Sequence, residues 1–438
     1  MSRYENYTLS PVPWIKQMPG HWGLVRGKNL YQKMQRPTSD TDEVVTCFRD
    51  GTVTLRKNRR TTGFTESLKE IGYQGIRKGD LVIHVMDAFA GSIGVSDSDG
   101  KATPVYSVCQ AKGNSNNQYY ALLLREMARS GYIQSLYRGI RERSSDFRFE
   151  VFAAQFYPVP PREEQDQIVR FLDWKVSGIN KLIRIRKRRI EELEAIKRSS
   201  IGYLVMGQAQ SIPQRGTAVS WVKTIPAHWN EKSLIQVAEE QQIKNAGMVE
   251  DNLLSLSYGK IINKDIKTTD GLLPSSFEGY QIVHDGNIIL RLTDLQNDHK
   301  SLRTGLVTQT GIITSAYTCL NVRHNILPEY LQLQLHVADL CKVFYGMGGG
   351  VRQSIGFKEI RKLVIAIPPV EEQQHILDSV HSIEKPINCA IQNSRDIIAG
   401  LEDLKMRLIS DTVTGKIDVR GIEIPEYEFV DEDTDTGN

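Results

Sequence analysis

The sequence has no apolar run near the roughly 18 residues that a membrane-spanning helix needs, which excludes an integral helical membrane protein. The segment Met-Ser-Arg-Tyr-Glu-Asn-Tyr at its start has none of the hydrophobicity of a secretory signal. Cysteine is scarce: five residues, at positions 47, 109, 319, 341 and 389, with no Cys-x-x-Cys pair and no Cys/His ligand spacing. An odd, scattered set excludes a disulfide framework and a zinc site, and it fits a reducing cytoplasm. The remaining composition, 40% hydrophobic and 24% charged, is that of a soluble globular chain, neither collagenous nor wholly disordered. At 438 residues there is room for roughly two to four domains.

Enzymatic signatures are missing as well. Asp87-Ala-Phe-Ala-Gly-Ser-Ile-Gly94 resembles the glycine-rich loop of methyltransferases, but turn-like residues follow it where a helix is required. The Asp/Asn-Pro-Pro-aromatic motif of amino-methyltransferases is absent from the chain. Gly100-Lys101-Ala102 lacks the preceding glycine and the following Ser or Thr of a phosphate-binding loop. His21 and His228, each between a proline-led turn and a tryptophan, suit a hydrogen-bonding role better than a pair of catalytic bases. No nucleophile–base or metal constellation is evident.

What is present is an uneven charge. Residues 1–207 carry 33 Lys and Arg against 22 Asp and Glu, a net +11, while the remainder is −8. Of that deficit, −7 falls in residues 418–438, whose acidic end reads as solvated and disordered. A basic first half makes nucleic acid a plausible partner.

The chain also repeats itself. Trp14-Ile-Lys-Gln-Met-Pro-Gly-His-Trp22 returns as Trp221-Val-Lys-Thr-Ile-Pro-Ala-His-Trp229, and Pro160-Pro-Arg-Glu-Glu-Gln165 returns as Pro368-Pro-Val-Glu-Glu-Gln373. Between these blocks little matches beyond Gly79/Gly286 and Asp87/Asp294. The frame is duplicated; the contents differ. Before each Pro-Pro, short strand-like runs and one helical stretch (119–130; 329–344) predict a mixed α/β module. After it the periodicity becomes helical, with Glu163-Glu164 and Glu371-Glu372 suited to a positive helix N-terminus.

A break or restart is expected near Gly178 and Pro386, followed by helices ending at about Gly207 and Gly415. Ile179, Ile183, Ile190 and Leu193 share their spacing with Ile387, Ile391, Ile398 and Leu401. Each set forms an apolar stripe, widened by Leu182, Ile196, Leu404 and Leu408. Pairing of the two stripes predicts an intramolecular antiparallel coiled coil; packing of each helix on its own module is the alternative. The fold class is therefore α+β, a pseudo-two-fold tandem repeat of two mixed modules joined by two long helices. The boundaries expected are 1–158, a helical spacer 159–207, a linker 208–220, a second module 221–366, a spacer 367–415 and an acidic tail 416–438, expected to be disordered.

Candidate DNA contacts are basic or amide residues on predicted loops. They are Arg56, Lys57, Arg59 and Arg60 beside Arg49, then Arg138, Arg141 and Arg143, and Arg352 with Gln353 in Gly346-Met-Gly-Gly-Gly-Val-Arg-Gln-Ser354. Arg suits guanine and phosphate, and Gln suits adenine. A solvated surface loop is the plain alternative for each. The six basic residues in 181–189 read as a solvated or partner-binding helix face.

Together these blocks resemble the specificity subunit of type I restriction–modification enzymes. The resemblance covers residues 11–421 and rests on Trp-x-x-x-x-Pro-x-His-Trp opening each half and Gly79-Asp-Leu-Val leading to Gly91-Ser-Ile-Gly-Val-Ser. It continues through Pro-Pro-x-Glu-Glu-Gln and closes on Thr414-Gly-Lys-Ile-Asp-Val-Arg420. The second half departs from it, with Asp298-His-Lys-Ser-Leu-Arg303 in place of the Gly-Ser-Ile-Gly block. The resemblance implies a non-catalytic DNA reader with two target recognition domains, each reading half of an asymmetric bipartite site. It implies helices that act as a ruler and dock two methyltransferase subunits, which methylate adenine N6. Restriction subunits can join. No cofactor is then expected in this chain; S-adenosylmethionine, ATP and Mg belong to the partners. Helices of about 28 residues would span ~42 Å, on the order of one DNA turn. Two alternatives stand beside it: an S-adenosylmethionine-dependent DNA methyltransferase, suggested by 87–94, and a coiled-coil DNA-binding scaffold.

Overall fold

The computed structural model describes residues 2–59, 71–136, 146–208, 212–266, 276–295, 302–323, 325–347 and 354–431. Four helices organise them: α1 (Asn117–Arg129), α2 (Arg162–Val205), α3 (Pro328–Leu340) and α4 (Val370–Val413). The chain divides into two compact units, the first comprising residues 1–188 and 394–438, the second 189–393. Each unit thus takes one module, the N-terminal half of the long helix that follows it and the C-terminal half of the other long helix.

In unit 1 the module centres on a four-stranded antiparallel sheet in the order Tyr31–Lys33, Tyr106–Ala111, Leu81–His84, Ile93–Val95. Successive strand residues face opposite sides. Leu81 and Ile83 join α1 residues Tyr119, Tyr120, Leu123 and Leu124 in the main core. Val82 and Val108 meet Val45, Val53 and Ile76 in a smaller core on the other side. A sheet covered on both faces needs apolar residues at consecutive positions, which is why this strand reads Leu-Val-Ile without alternation. The same hydrogen-bonding shows 85–92 to be the connection of an antiparallel pair, not the strand–loop–helix unit that cradles a cofactor.

Unit 2 repeats the arrangement with other residues. Its sheet runs Ala238–Gln241, Thr318–Val322, Ile288–Leu290, Thr304–Leu306. Ile288 and Leu290 pack with Tyr330, Leu331 and Leu335 of α3, whereas Ile289 turns to Leu254, Val283, Val307 and Ile313. Each module closes by pairing the strand after its His-Trp motif with the strand before Pro-Pro: Gly23–Arg26 with Phe156–Val159, and Asn230–Ser233 with Val364–Ile367.

Both long helices run 44 residues, about 66 Å at 1.5 Å per residue. The break expected at Gly178 and Pro386 does not occur: α2 passes through the glycine, and Pro386 lies inside α4. A proline removes one N–H and crowds the preceding turn at a cost of about 3 kcal/mol. Helical neighbours on both sides, including buried Val380 and Ile391, hold the element through it. The ends are as expected, Val205 and Val413 being followed by Gly207 (φ 66°) and Gly415 (φ 76°) in the left-handed region.

The eight stripe residues are all buried or half-buried. Of those thought to widen the stripes, Leu408 is buried, but Leu182, Ile196 and Leu404 are exposed. In unit 1, Ile179 and Ile183 share the main core with Ile398, Leu401 and Leu408, and Lys405 Nζ lies 3.4 Å from Asn180 Oδ1. In unit 2, Lys197 Nζ lies 3.1 Å from Asn388 Oδ1.

The acidic tail corrects another expectation. Residues 416–431 are ordered against α2: Gln167 donates to Val419 and Ile422 carbonyls, and Ser177 Oγ bridges Glu428 O and Val430 N. Val419 and Val430 are buried and Ile422 and Ile424 border the core. Apolar residues spaced among the acids carry this packing, which net charge alone conceals. Residues 432–438, including most of the acidic end, lie outside the described residues.

Alanine at Gly207 or Gly415 is expected to strain the helix terminus twice. The φ is unfavourable for an L side chain, and an added Cβ would meet Trp229 Cζ2 or Trp22 Cη2 at 2.8 Å. Each variant should lose about 1–3 kcal/mol, read by calorimetry as an earlier transition; an unchanged profile would refute the assignment.

Candidate nucleic-acid interface

The repeated motifs meet in space within each unit. Glu164, in the first turn of α2, is 3% exposed; its Oε1 accepts from Trp22 Nε1 at 2.9 Å and its Oε2 lies 2.7 Å from His21 Nε2. In unit 2, Glu372 Oε1 accepts from Trp229 Nε1 at 3.0 Å and Oε2 lies 2.8 Å from His228 Nε2. The histidines are therefore clasp donors, as their setting suggested, not bases facing a substrate. Trp-x-x-x-x-Pro-x-His-Trp and Pro-Pro-x-Glu-Glu-Gln are two halves of one clasp.

The glutamine beside each glutamate extends it. Gln165 accepts from Asn116 N at 2.8 Å and donates to Pro160 O at 2.8 Å, while Gln373 accepts from Leu327 N at 2.7 Å and donates to Pro368 O at 3.0 Å. Both thereby tie a long helix to the N-terminus of its module helix. Close by, in the first turn of each module helix, Tyr119 OH donates to Val413 O and Tyr330 OH to Val205 O, each at 3.1 Å, satisfying helix-terminal carbonyls.

The first clasp carries additions that sequence repetition could not reveal. Tyr4 OH donates to Glu164 Oε1, and burial, with the hydrogen bond to Glu164 and its charge, pushes the phenol well above its usual value. Arg420 lies 5.0 Å from the Tyr4 ring centroid and pairs with Asp418, whose carboxyl it holds below the ordinary range.

Of the nine candidate DNA contacts, Arg56, Lys57 and Arg59 fall in the described residues; Arg60, Arg138, Arg141, Arg143, Arg352 and Gln353 lie outside them. The three occupy a 3-10 turn and its end, after strand Val53–Leu55. Lys57 Nζ sits 2.8 Å from Glu43 Oε1 in an exposed pair, worth at most about 1 kcal/mol and readily exchanged for a phosphate. Arg59 is held more firmly, 2.6 Å from Asp50 Oδ2 with its guanidinium 4.6 Å from the Phe48 ring centroid. Although burial opposes ionisation of Asp50, hydrogen bonds from Thr52 and Arg59 keep its carboxyl below the usual value. Arg56 Nε lies 3.4 Å from Thr46 Oγ1, and Arg49 pairs with Asp87 at 3.0 Å.

Elsewhere, burial pushes the thiols of Cys47 and Cys109 far up and that of Cys319 up to about 12, so none is a ready nucleophile. Among the described residues no group of three His, Cys, Asp or Glu converges as a metal site, and no helix is long and apolar enough to cross a membrane.

The family model for the type I restriction modification DNA specificity domain matches residues 304–397, which span the last sheet strands, α3, the Glu372–Gln373 side of the second clasp and α4 as far as residue 397. Residues 304–397 are similar in sequence to the type I specificity domain. The resemblance seen in the motifs is thus borne out by an independent match. Similarity of fold extends further along the chain than this segment. A chain from a structure of the complex assembly and conformational transition of the type I R-M system aligns with TM-score 0.64 and 14% identity, covering 91% of this chain and 99% of that one. The HsdS subunit from Thermoanaerobacter tengcongensis aligns with TM-score 0.47 and 15% identity, covering 91% and 98%. No curated protein matches the chain in sequence.

The clasp predicts an order of effects. Glu164→Ala strands two buried donors, Tyr4 OH and Trp22 Nε1, each costing about 1–3 kcal/mol, whereas Glu372→Ala strands the Trp229 indole beside a carboxylate that is 16% exposed. Denaturant unfolding should therefore show the larger loss for Glu164→Ala; the reverse order would contradict this account.

Proposed function

We propose that this chain is the non-catalytic DNA-reading subunit of a type I restriction–modification complex acting in the cytoplasm. Each module reads one half of an asymmetric bipartite site. Helices α2 and α4 pair as an antiparallel coiled coil, set the unread gap between the half-sites and dock two methyltransferase subunits for adenine N6 methylation. Restriction subunits join that assembly for ATP-dependent cleavage. S-adenosylmethionine, ATP and Mg are the partners' cofactors.

The observation that carries this reading is the duplicated clasp around unlike modules, together with the match of residues 304–397 to the specificity-domain family. The same anchoring scheme recurs in both halves of the chain, while dissimilar loops give an asymmetric target. The mixed helix cores in unit 1 and the Lys197–Asn388 contact in unit 2 support pairing of the helices. Under this reading the modules correspond to 1–158 and 221–366, and the spacers to 159–207 and 367–415. The second repeat, residues 208–417, carries a net charge of −1, so the partner subunits supply much of the attraction for phosphate.

Two experiments test it. In cells carrying this chain and its methyltransferase partner, methylated adenines should map to one bipartite motif. Exchange of residues 221–366 for another specificity module should change one half of it; change in both halves, or no defined motif, would sink the reading. Inserting one heptad at equivalent places in α2 and α4 adds about 10 Å to each, and the unread gap should lengthen by on the order of one to three base pairs. An unaltered gap would show that the helices are not the ruler.

A further inference from the structure

In unit 2, strands Leu254–Ser257 and Lys260–Asn263 form a tight hairpin in which Ser257 is paired with Lys260. The two-residue turn is Tyr258-Gly259, with φ of 47° and 76°. Positive φ at both central residues is the signature of a type I′ turn, for which Asn-Gly is the preferred pair. Glycine fits its place. Tyrosine does not: a bulky side chain in the left-handed region is disfavoured by about 1–2 kcal/mol. Nor does burial compensate, since Tyr258 is 88% exposed. A large aromatic is thus held in solvent at the apex of a turn whose geometry disfavours it.

The hairpin beneath is firmly seated. Leu256 and Ile261 press on the backbone of Gly305 in the central sheet, where an added Cβ would meet Leu256 Cδ1 at 2.6 Å, and Leu254 is buried in the second core. At the turn, an added Cβ on Gly259 would meet Leu302 at 3.2 Å, which places the apex against Leu302. Lys260 flanks the aromatic and is exposed. A rigid hairpin bearing one outward aromatic ring and an adjacent cation matches what a nucleic-acid surface can use: a π-face for bases or sugars, and a charge for phosphate. The short, strained, sharply pointed tip suits insertion into a groove more than contact with a flat protein face.

We propose that Tyr258 is a DNA contact of the second module, its ring entering a groove of duplex DNA while Lys260 meets the backbone beside it. This rests on the DNA-reading function proposed above and adds a residue to the reading surface of that module.

Tyr258→Asn tests it in a way that separates folding from binding. Asparagine is the residue the turn prefers, so the variant should melt at the same temperature as the wild type or higher. In the full chain with its methyltransferase partner, its affinity for a labelled duplex carrying the mapped motif should fall about 5- to 100-fold. Tyr258→Phe should retain most of the affinity. Unchanged DNA binding by Tyr258→Asn would overturn the proposal, and so would a lowered melting temperature, which would make the ring a structural element. Loss of the methyltransferase subunit from the complex with DNA affinity otherwise intact would assign the tip to a protein partner instead. If the wild-type complex yields no defined motif, the DNA-reading function itself fails; if it yields one that Tyr258→Asn recognises equally well, only the role of Tyr258 fails.

Discussion

A carboxylate in the first turn of a long helix, buried in unit 1 and half-buried in unit 2, is the constraint on which each unit depends. Glu164 and Glu372 are out of reach of bulk water to different degrees, and each is held by an indole N–H and an imidazole from the start of its own module. A buried charge without such donors would be far more costly than its removal. The module opening, the Pro-Pro turn and the helix start must therefore be correct together. The neighbouring glutamine binds the N-terminus of the module helix, and a tyrosine from that helix binds the last carbonyls of a long helix. One polar network thus connects three helix ends in each unit, and it explains why the residues that recur lie in short blocks separated by more than 130 positions.

Electrostatics beyond the clasp is more local than the charge totals suggest. The basic first repeat spends part of its charge internally: Arg36 on Asp80, Arg59 on Asp50, Arg49 on Asp87 and Lys57 on Glu43. The Arg36–Asp80 pair is largely buried and belongs to the fold. Lys57 with Glu43 is exposed, so its cation can turn to a phosphate with little loss. The acidic tail is likewise partly structural, since Lys181 pairs with Glu428 while the apolar residues between the acids pack on α2.

Much of the frame was legible because duplication supplies its own control. Motifs kept at offsets of 207 or 208 residues marked the helix starts and the terminal glycines. The strand at 81–84 was legible from its apolar run, and the helices from their stripes. Three things were not. The expected break at Pro386 followed a local rule that packing along both halves of α4 overrides. The ordered tail was masked by its charge, with Val419 and Val430 carrying the contact. Tyr4 lies outside the repeated block, so nothing in the sequence linked it to Glu164. The hairpin at 254–263 shows alternation, but its turn replaces the expected Asn-Gly with Tyr-Gly, and the usual signal is lost.

That last departure illustrates how the two halves came to differ without losing a common design. Positions that bury a donor, an acceptor or a strand side chain are fixed by desolvation, and the repeats agree there in kind: Leu-Val-Ile in one sheet, Ile-Ile-Leu in the other, on equivalent central strands. Positions at loop tips carry no such cost and vary freely. An exposed loop residue is ordinarily neutral, and drift at a type I′ turn should therefore favour the asparagine or glycine that the backbone prefers. Where a turn instead carries a residue that its backbone disfavours and solvent does not reward, the compensation must come from outside the folded chain. Tyr258 meets both conditions, which makes the apex of that hairpin a place where recognition, not folding, has chosen the side chain.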